Sequence, residues 1–221
     1  MSRHGAVEPG SSIRESYLMA AHSAVGLLEQ PRLRERWSAP SALAEFAVSG
    51  LAGHLAGQVH QVRAVLDAPV PAGTPIPLLD HYREAAWREA DLNSAANTGI
   101  REAGEAYAAA GPDALVEHTQ EVLDVLAVEL GGNLDGRVVH LPWVGWSLTL
   151  DDYLVTRMME ISVHSDDLAV SIGIETPALP RSVTAPVLDL LVNLSELRHG
   201  STALLRALSR AERAPASIAA I

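Results

Sequence analysis

Apolar residues recur along this chain mostly at the spacing of a helix, and the alternation of a strand is scarce. Leu150, Leu154, Met158, Ile161, Ser165, Leu168 and Ile172 advance in steps of four and three, which makes a seam of the kind that a bundle helix buries. Similar Ala/Leu/Val/Glu/Arg-rich segments are separated by Pro, Gly and Ser clusters, so the pattern predicts an all-α chain. A first helix is expected over about Ser12 to Leu28 and a second over about Ser41 to Leu66, after a connection from Pro31 to Pro40. A Pro/Gly-rich loop covers Ala68 to Pro77. Leu78 to Ala110 reads as a helical segment broken or made irregular by Asn93, Asn97 and Gly99.

The third helix begins near Asp113, after Gly111-Pro112, and stops at Gly131-Gly132. Arg137 to Trp146 is expected as a crossover loop or a short extended piece. The fourth helix starts after Ser147 or Thr149, runs to about Ile172 and ends at Gly173. Two more helices, about Ser182 to Arg198 and Ser201 to Arg213, follow a stop-and-restart signal at Arg198-His199-Gly200-Ser201. The expected organisation is a flexible N-terminus (1–11), a helical bundle (12–174), a helical appendix (175–213) and a loose tail (214–221).

Composition removes several classes of function. The net charge of -11 and the lack of any cluster of basic residues argue against a nucleic-acid partner. The polar stretch from Met1 to Ser12 has no apolar leader core, and no apolar run reaches spanning length, so no membrane association and a cytoplasmic location are expected. All 16 basic residues are Arg, a bias of GC-rich bacterial genomes. The absence of cysteine excludes disulfides, thiolate metal sites and a protein thiol nucleophile, so any sulfur chemistry must arrive on a cofactor.

The candidate chemistry lies on the fourth helix. About a quarter turn from the apolar seam runs a second stripe of Tyr153, Arg157, Glu160, His164, Asp167 and Ser171. It is either the solvated side of the helix or an interior polar face. The remaining face, with Val155, Met159, Val163 and Val170 among Asp152 and Asp166, is no more polar, which favours the interior. Glu160 and His164 are four apart and can share one cation; their oxygen and imidazole donors suit zinc first, with nickel, iron or cobalt as alternatives.

His54 is the best third ligand, because Ala47, Gly50, Gly53, Ala56 and Gly57 leave an imidazole room between closely packed helices. The competing reading is a hydrogen-bonded core histidine. His60 faces away from His54, His22 and His118 are other candidates for the interior, and His4, His81, His140 and His199 are expected at surfaces or caps.

The stretch Leu148 to Ala169 resembles the fourth helix of the mycothiol-dependent maleylpyruvate isomerase N-terminal family, a branch of the DinB-like bundles. The core pattern R-x-x-E-x-x-x-H-x-x-D-L falls on Arg157, Glu160, His164, Asp167 and Leu168, and the G-H-L-A around His54 supplies the second-helix counterpart. Leu141-Pro142-Trp143-Val144-Gly145-Trp146 is also similar to that family. The resemblance spans about Ser12 to Ile174. It implies an up-down-down-up four-helix bundle, here with two additional C-terminal helices, that holds a divalent metal on His54, Glu160 and His164. It also implies mycothiol as cosubstrate and an actinobacterial setting. Family isomerases carry a separate C-terminal domain that contributes to the substrate site, whereas here two short helices follow Gly173, so the metal site transfers further than the isomerisation.

Three protein ligands leave a metal an open position, where a thiol would be held as its thiolate and could attack a small electrophile, giving S-conjugation or cis-trans isomerisation. Arg157 is expected either to grip a ligand carboxylate or to neutralise Glu160, and Asp167 to orient His164. Trp143 and Trp146 are expected to wall the pocket mouth. Two other readings are a metal-dependent hydrolase and a non-catalytic metal-binding or sensing bundle, the latter a homodimer through Val155, Met159 and Val163.

Overall fold

The computed structural model describes residues 11–70, 73–84 and 94–221. Four long helices form the bundle: α1 (Ile13–Leu28), α3 (Val48–Asp67), α6 (Pro112–Leu130) and α7 (Leu150–Ile172). Each of α1 and α3 packs against both α6 and α7, which closes a ring around one core. Short helices α2 (Pro31–Glu35) and α4 (Leu78–Glu84), with α5 (Ala95–Ala108), occupy the connections; α8 (Arg181–His199) and α9 (Ser201–Ser209) follow. A hairpin of β1 (Val138–Leu141) and β2 (Trp146–Thr149) leads into α7, with His140 opposite Ser147. The all-α, DinB-like bundle expected from the sequence is the observed architecture.

Local chemistry sets the ends of these helices. Ser12 and Glu15 make a capping box at α1, satisfying two of the amides that a helix start leaves open. Thr149 accepts from the Asp152 amide at the start of α7, whose first turn carries Asp151 and Asp152, the charge that a helix N-terminus favours. Gly173, at φ 71°, ends α7 in the left-handed conformation. Every residue of the seam from Leu150 to Ile172 is at most 4% exposed.

The boundaries differ from expectation in four places. The second long helix starts at Val48 rather than Ser41, because Val48 N–H bonds Ala39 O, Ser49 N–H bonds Trp37 O and Glu45 turns to φ 65°. The Pro31 to Pro40 connection contains α2. In the interrupted segment, helix resumes at Ser94, whose side chain caps the Asn97 amide, and Gly99 lies inside α5; residues 85–93, which include Asn93, are outside the described residues. The last expected helix stops at Ser209 and gives way to a 3-10 turn, Ala211–Arg213. Beyond it, Ser195 Oγ donates to Ile218 O and His199 Nε2 lies 2.9 Å from Ala219 O, so the tail lies along α8. Residues 1–10, where the flexible N-terminus is expected, are outside the described residues.

Helices α3 and α5 approach backbone to backbone, and glycine makes it so. A Cβ on Gly53 would overlap the Gly104 carbonyl, and one on Gly104 would overlap the Gly50 carbonyl. Gly53→Ala is therefore expected to cost about 1 to 3 kcal/mol, as overpacking does. Gly26→Ala, in α1 with no atom within 4 Å of an added Cβ, should instead gain up to about 1 kcal/mol of helix propensity. Thermal unfolding of the two variants should move in opposite directions; equal shifts would contradict the backbone contact between α3 and α5.

Candidate metal centre

Two helices supply the centre. On α3, the glycine contact with α5 brings the helices together at Gly50, Gly53 and Gly104, and His54 follows directly. On α7, Glu160 and His164 occupy successive turns of the polar stripe, which faces the protein interior: Tyr153 and Ser171 are buried, and the Glu160 and His164 side chains are 15% and 16% exposed. His164 Nε2 lies 3.2 Å and His54 Nε2 3.6 Å from Glu160 Oε2, and the two imidazoles meet edge to face with centroids 4.6 Å apart. One donor atom from each residue falls within 4.8 Å of the others, an arrangement that could hold a metal ion.

The electrostatics follow from that enclosure. Burial would raise the Glu160 carboxyl, but hydrogen bonds with His164 and His54 and the nearby positive charge hold it well below the carboxylate range. Burial pushes the His54 imidazole down, with Glu160 opposing. Burial also disfavours charge on His164, yet Asp167 and Glu160 lift it to about 9. Asp167 Oδ2 lies 3.0 Å from His164 Nδ1, which leaves Nε2 as the edge turned to Glu160. Ser171 ties this stretch to the loop before α3, donating to Asp167 O and accepting from the Ala42 amide.

Arg157 does not pair with Glu160. Its Nη1 donates to Gln58 Oε1 at 2.7 Å and Gln61 Oε1 at 3.0 Å, its Nε donates to Thr156 Oγ1, and the guanidinium lies 5.1 Å from the Tyr153 ring centroid. It has no carboxylate ion pair among the described residues. The Tyr153 hydroxyl is buried without a hydrogen-bond partner. Gln58 also links the two helices, because its Nε2 donates to His54 O and lies 3.5 Å from the His54 ring. His54, Gln58 and Gln61 are spaced four and three apart, a stripe that sequence inspection can find once α3 is known to face α7.

Other histidines correct the sequence expectations. His22 and His118 are exposed rather than interior. His81 is not at the surface: it is 6% exposed and receives a hydrogen bond from Trp146 Nε1 at its Nδ1, 3.0 Å away. Trp146 is thereby a hydrogen-bonding partner, while Trp143 is 56% exposed. His60 turns away from His54, as expected, and lies 3.2 Å from Thr119 Oγ1, with Tyr107 stacked on it. The flank proposed for a homodimer is used within the chain, since α8 packs on α7, Val155 is 9% exposed and Met159 is fully buried.

The model of the mycothiol maleylpyruvate isomerase N-terminal domain matches residues 18–169. The chain belongs to this family. No curated protein and no solved structure matches it. Membership links the chain to mycothiol-related, DinB-like metal-binding proteins, and the matched segment includes His54, Arg157, Glu160, His164 and Asp167. Among the described residues, no helix is long and apolar enough to cross a membrane.

Burial, with His118 adding to it, pushes His60 down to about 4. Its unfolded value is about 6.5, so the unfolded chain takes up the proton first as pH falls. The stability tied to neutral His60 is thus complete above about pH 6.5 and is lost on descent towards pH 4. In urea unfolding at pH 7 and pH 4.5, His60→Gln should lose less stability between the two than the unsubstituted protein. Equal losses would mean that His60 takes up its proton as readily in the fold as outside it.

Proposed function

We propose that this protein is a metal-dependent enzyme that uses mycothiol to modify a small electrophile, by S-transfer or by thiol-assisted isomerisation, in the cytoplasm. The observation that carries this reading is the convergence of His54 Nε2, Glu160 Oε2 and His164 Nε2 in a member of a mycothiol-related family. The donor set fits a divalent ion, with zinc the first choice. Glu160 is enclosed with two imidazoles, and Arg157, the nearby permanent cation, is directed to Gln58 and Gln61 instead. A bound ion would supply a Lewis acid that favours the deprotonated form of a thiol at neutral pH.

The chain's own residues have separate tasks in this reading. Asp167 keeps the His164 proton at Nδ1 and leaves Nε2 free to act as a ligand. Arg157 binds a carboxylate of the electrophile; a guanidinium with neutral partners beside an orphaned Tyr153 hydroxyl is suited to an arriving anion. Residues 12–174 form the catalytic bundle, and within 175–213 helix α8 braces α7 from behind. The hydrolase reading needs a carboxylate free to activate water, and Asp167 is already engaged with His164, so thiol chemistry is preferred.

Elemental analysis of tag-free protein is the decisive test. The unsubstituted chain should carry about one equivalent of divalent metal, and His54→Ala and His164→Ala should lose it; a chain that stays metal-free on reconstitution would sink the proposal. Asp167→Asn should keep the site but weaken metal affinity about 10- to 100-fold. With metal bound, consumption of mycothiol by test electrophiles separates the transferase reading from the hydrolase and sensing readings. Arg157→Met should raise KM for acidic electrophiles more than for neutral ones.

A further inference from the structure

Helix α8 has two apolar sides, and the bundle uses one of them. Val183, Val187, Leu190 and Leu194 gather on the inner side, where each is at most 3% exposed and the helix packs on α7 and α1. Arg181, Ala185, Leu188, Val192 and Glu196 gather on the opposite side, in steps of four and three. All five are exposed, and Leu188 and Val192, at 58% and 41%, are large apolar side chains turned away from the core. Apolar positions at this spacing make the kind of stripe that one helix packs against another. The chain covers the end of this side itself, where Ser195 Oγ donates to Ile218 O and His199 Nε2 lies against Ala219 O. Among the described residues Arg181 has no ion pair, and Glu196 accepts a hydrogen bond from Ser201 Oγ.

We propose that the outer side of α8 is the interface of a homodimer, in which it packs antiparallel against the same helix of a second copy, across a two-fold axis beside Leu188. The stripe is self-complementary in that arrangement. Reversing it about a point between Leu188 and Asp189 sets Arg181 beside the partner's Glu196 and Ala185 beside the partner's Val192, and brings the two Leu188 side chains together. The two-fold axis makes each of these pairings occur twice, so one surface serves both copies. A parallel pairing in register would instead place Arg181 on Arg181 and Glu196 on Glu196, like charge on like. That charge match is what favours a second copy over an unlike partner. The stripe covers about 24 Å of helix, a contact at the low end of stable interface sizes, so dissociation in the micromolar range is expected. This interface uses the face of α8 opposite the one that covers Val155 and Met159.

The test is sedimentation equilibrium on the full chain, which should show monomer and dimer exchanging in the micromolar range. Leu188→Arg should weaken association by about tenfold or more and leave the helical circular dichroism unchanged, because the position is exposed in the single chain. Arg181→Glu and Glu196→Arg should each weaken it about tenfold by setting like charges together, and the two combined should return to within about threefold of the unsubstituted protein. The chain has no cysteine, so introduced thiols report the geometry without interference. Under mild oxidation Leu188→Cys should give a disulfide-linked dimer, whereas Arg181→Cys, whose two copies lie about 22 Å apart in the antiparallel pair, should not. A chain that stays monomeric up to about 500 μM would overturn the proposal, as would a dimer indifferent to Leu188→Arg. Failure of the combined charge reversal to restore association, or cross-linking of Arg181→Cys as fast as Leu188→Cys, would overturn it through its antiparallel register.

Discussion

A carboxylate removed from water has to be answered by charge or by hydrogen bonds, and Glu160 sets that demand at the middle of this bundle. Its answer comes from two imidazoles on different helices, so α3 and α7 have to lie at a fixed distance and register. Each further contact around the site serves the same requirement. Asp167 turns His164, Gln58 joins His54 to Arg157, and Ser171 anchors α7 to the loop before α3. An interior polar group of this kind specifies one arrangement of the bundle, because any slip would strand it unpaired.

Much of this was readable in the sequence. The apolar seam of α7 and the polar stripe beside it differ by a quarter turn, so one helical period predicts both the buried side and the ligand side. The R-x-x-E-x-x-x-H-x-x-D-L pattern, with the small residues around His54, marks the polar cluster in the sequence itself. The ends of α1 and α7 were also legible, since Ser12, Thr149 and Gly173 act through purely local chemistry.

What was not legible depends on contacts between distant segments. The start of α3 is decided by bonds from Val48 and Ser49 to Ala39 and Trp37, and no helix-cap residue marks it. The orientation of Arg157 towards two glutamines and away from Glu160 requires knowing which face of α3 opposes α7. His81 looked like a segment-end histidine because α4 is only seven residues long, and its partner Trp146 is far along the chain. The flank of Val155 and Met159 looked free for the same reason, since its cover comes from α8, beyond the family segment.

The glycine contact between α3 and α5 has a further consequence for how this site can diversify. Where Gly50, Gly53 and Gly104 meet, the wall behind His54 is backbone on both sides. A wall of backbone has no side chain to trim or enlarge, so that side of the site is closed to gradual change in shape. Variation in what the site accepts is left to the side chains that border it, such as Arg157 with its partners Gln58 and Gln61. The fold thus divides the centre into an invariant half that keeps the ligand geometry and an adjustable half where a lineage can change its chemistry one side chain at a time.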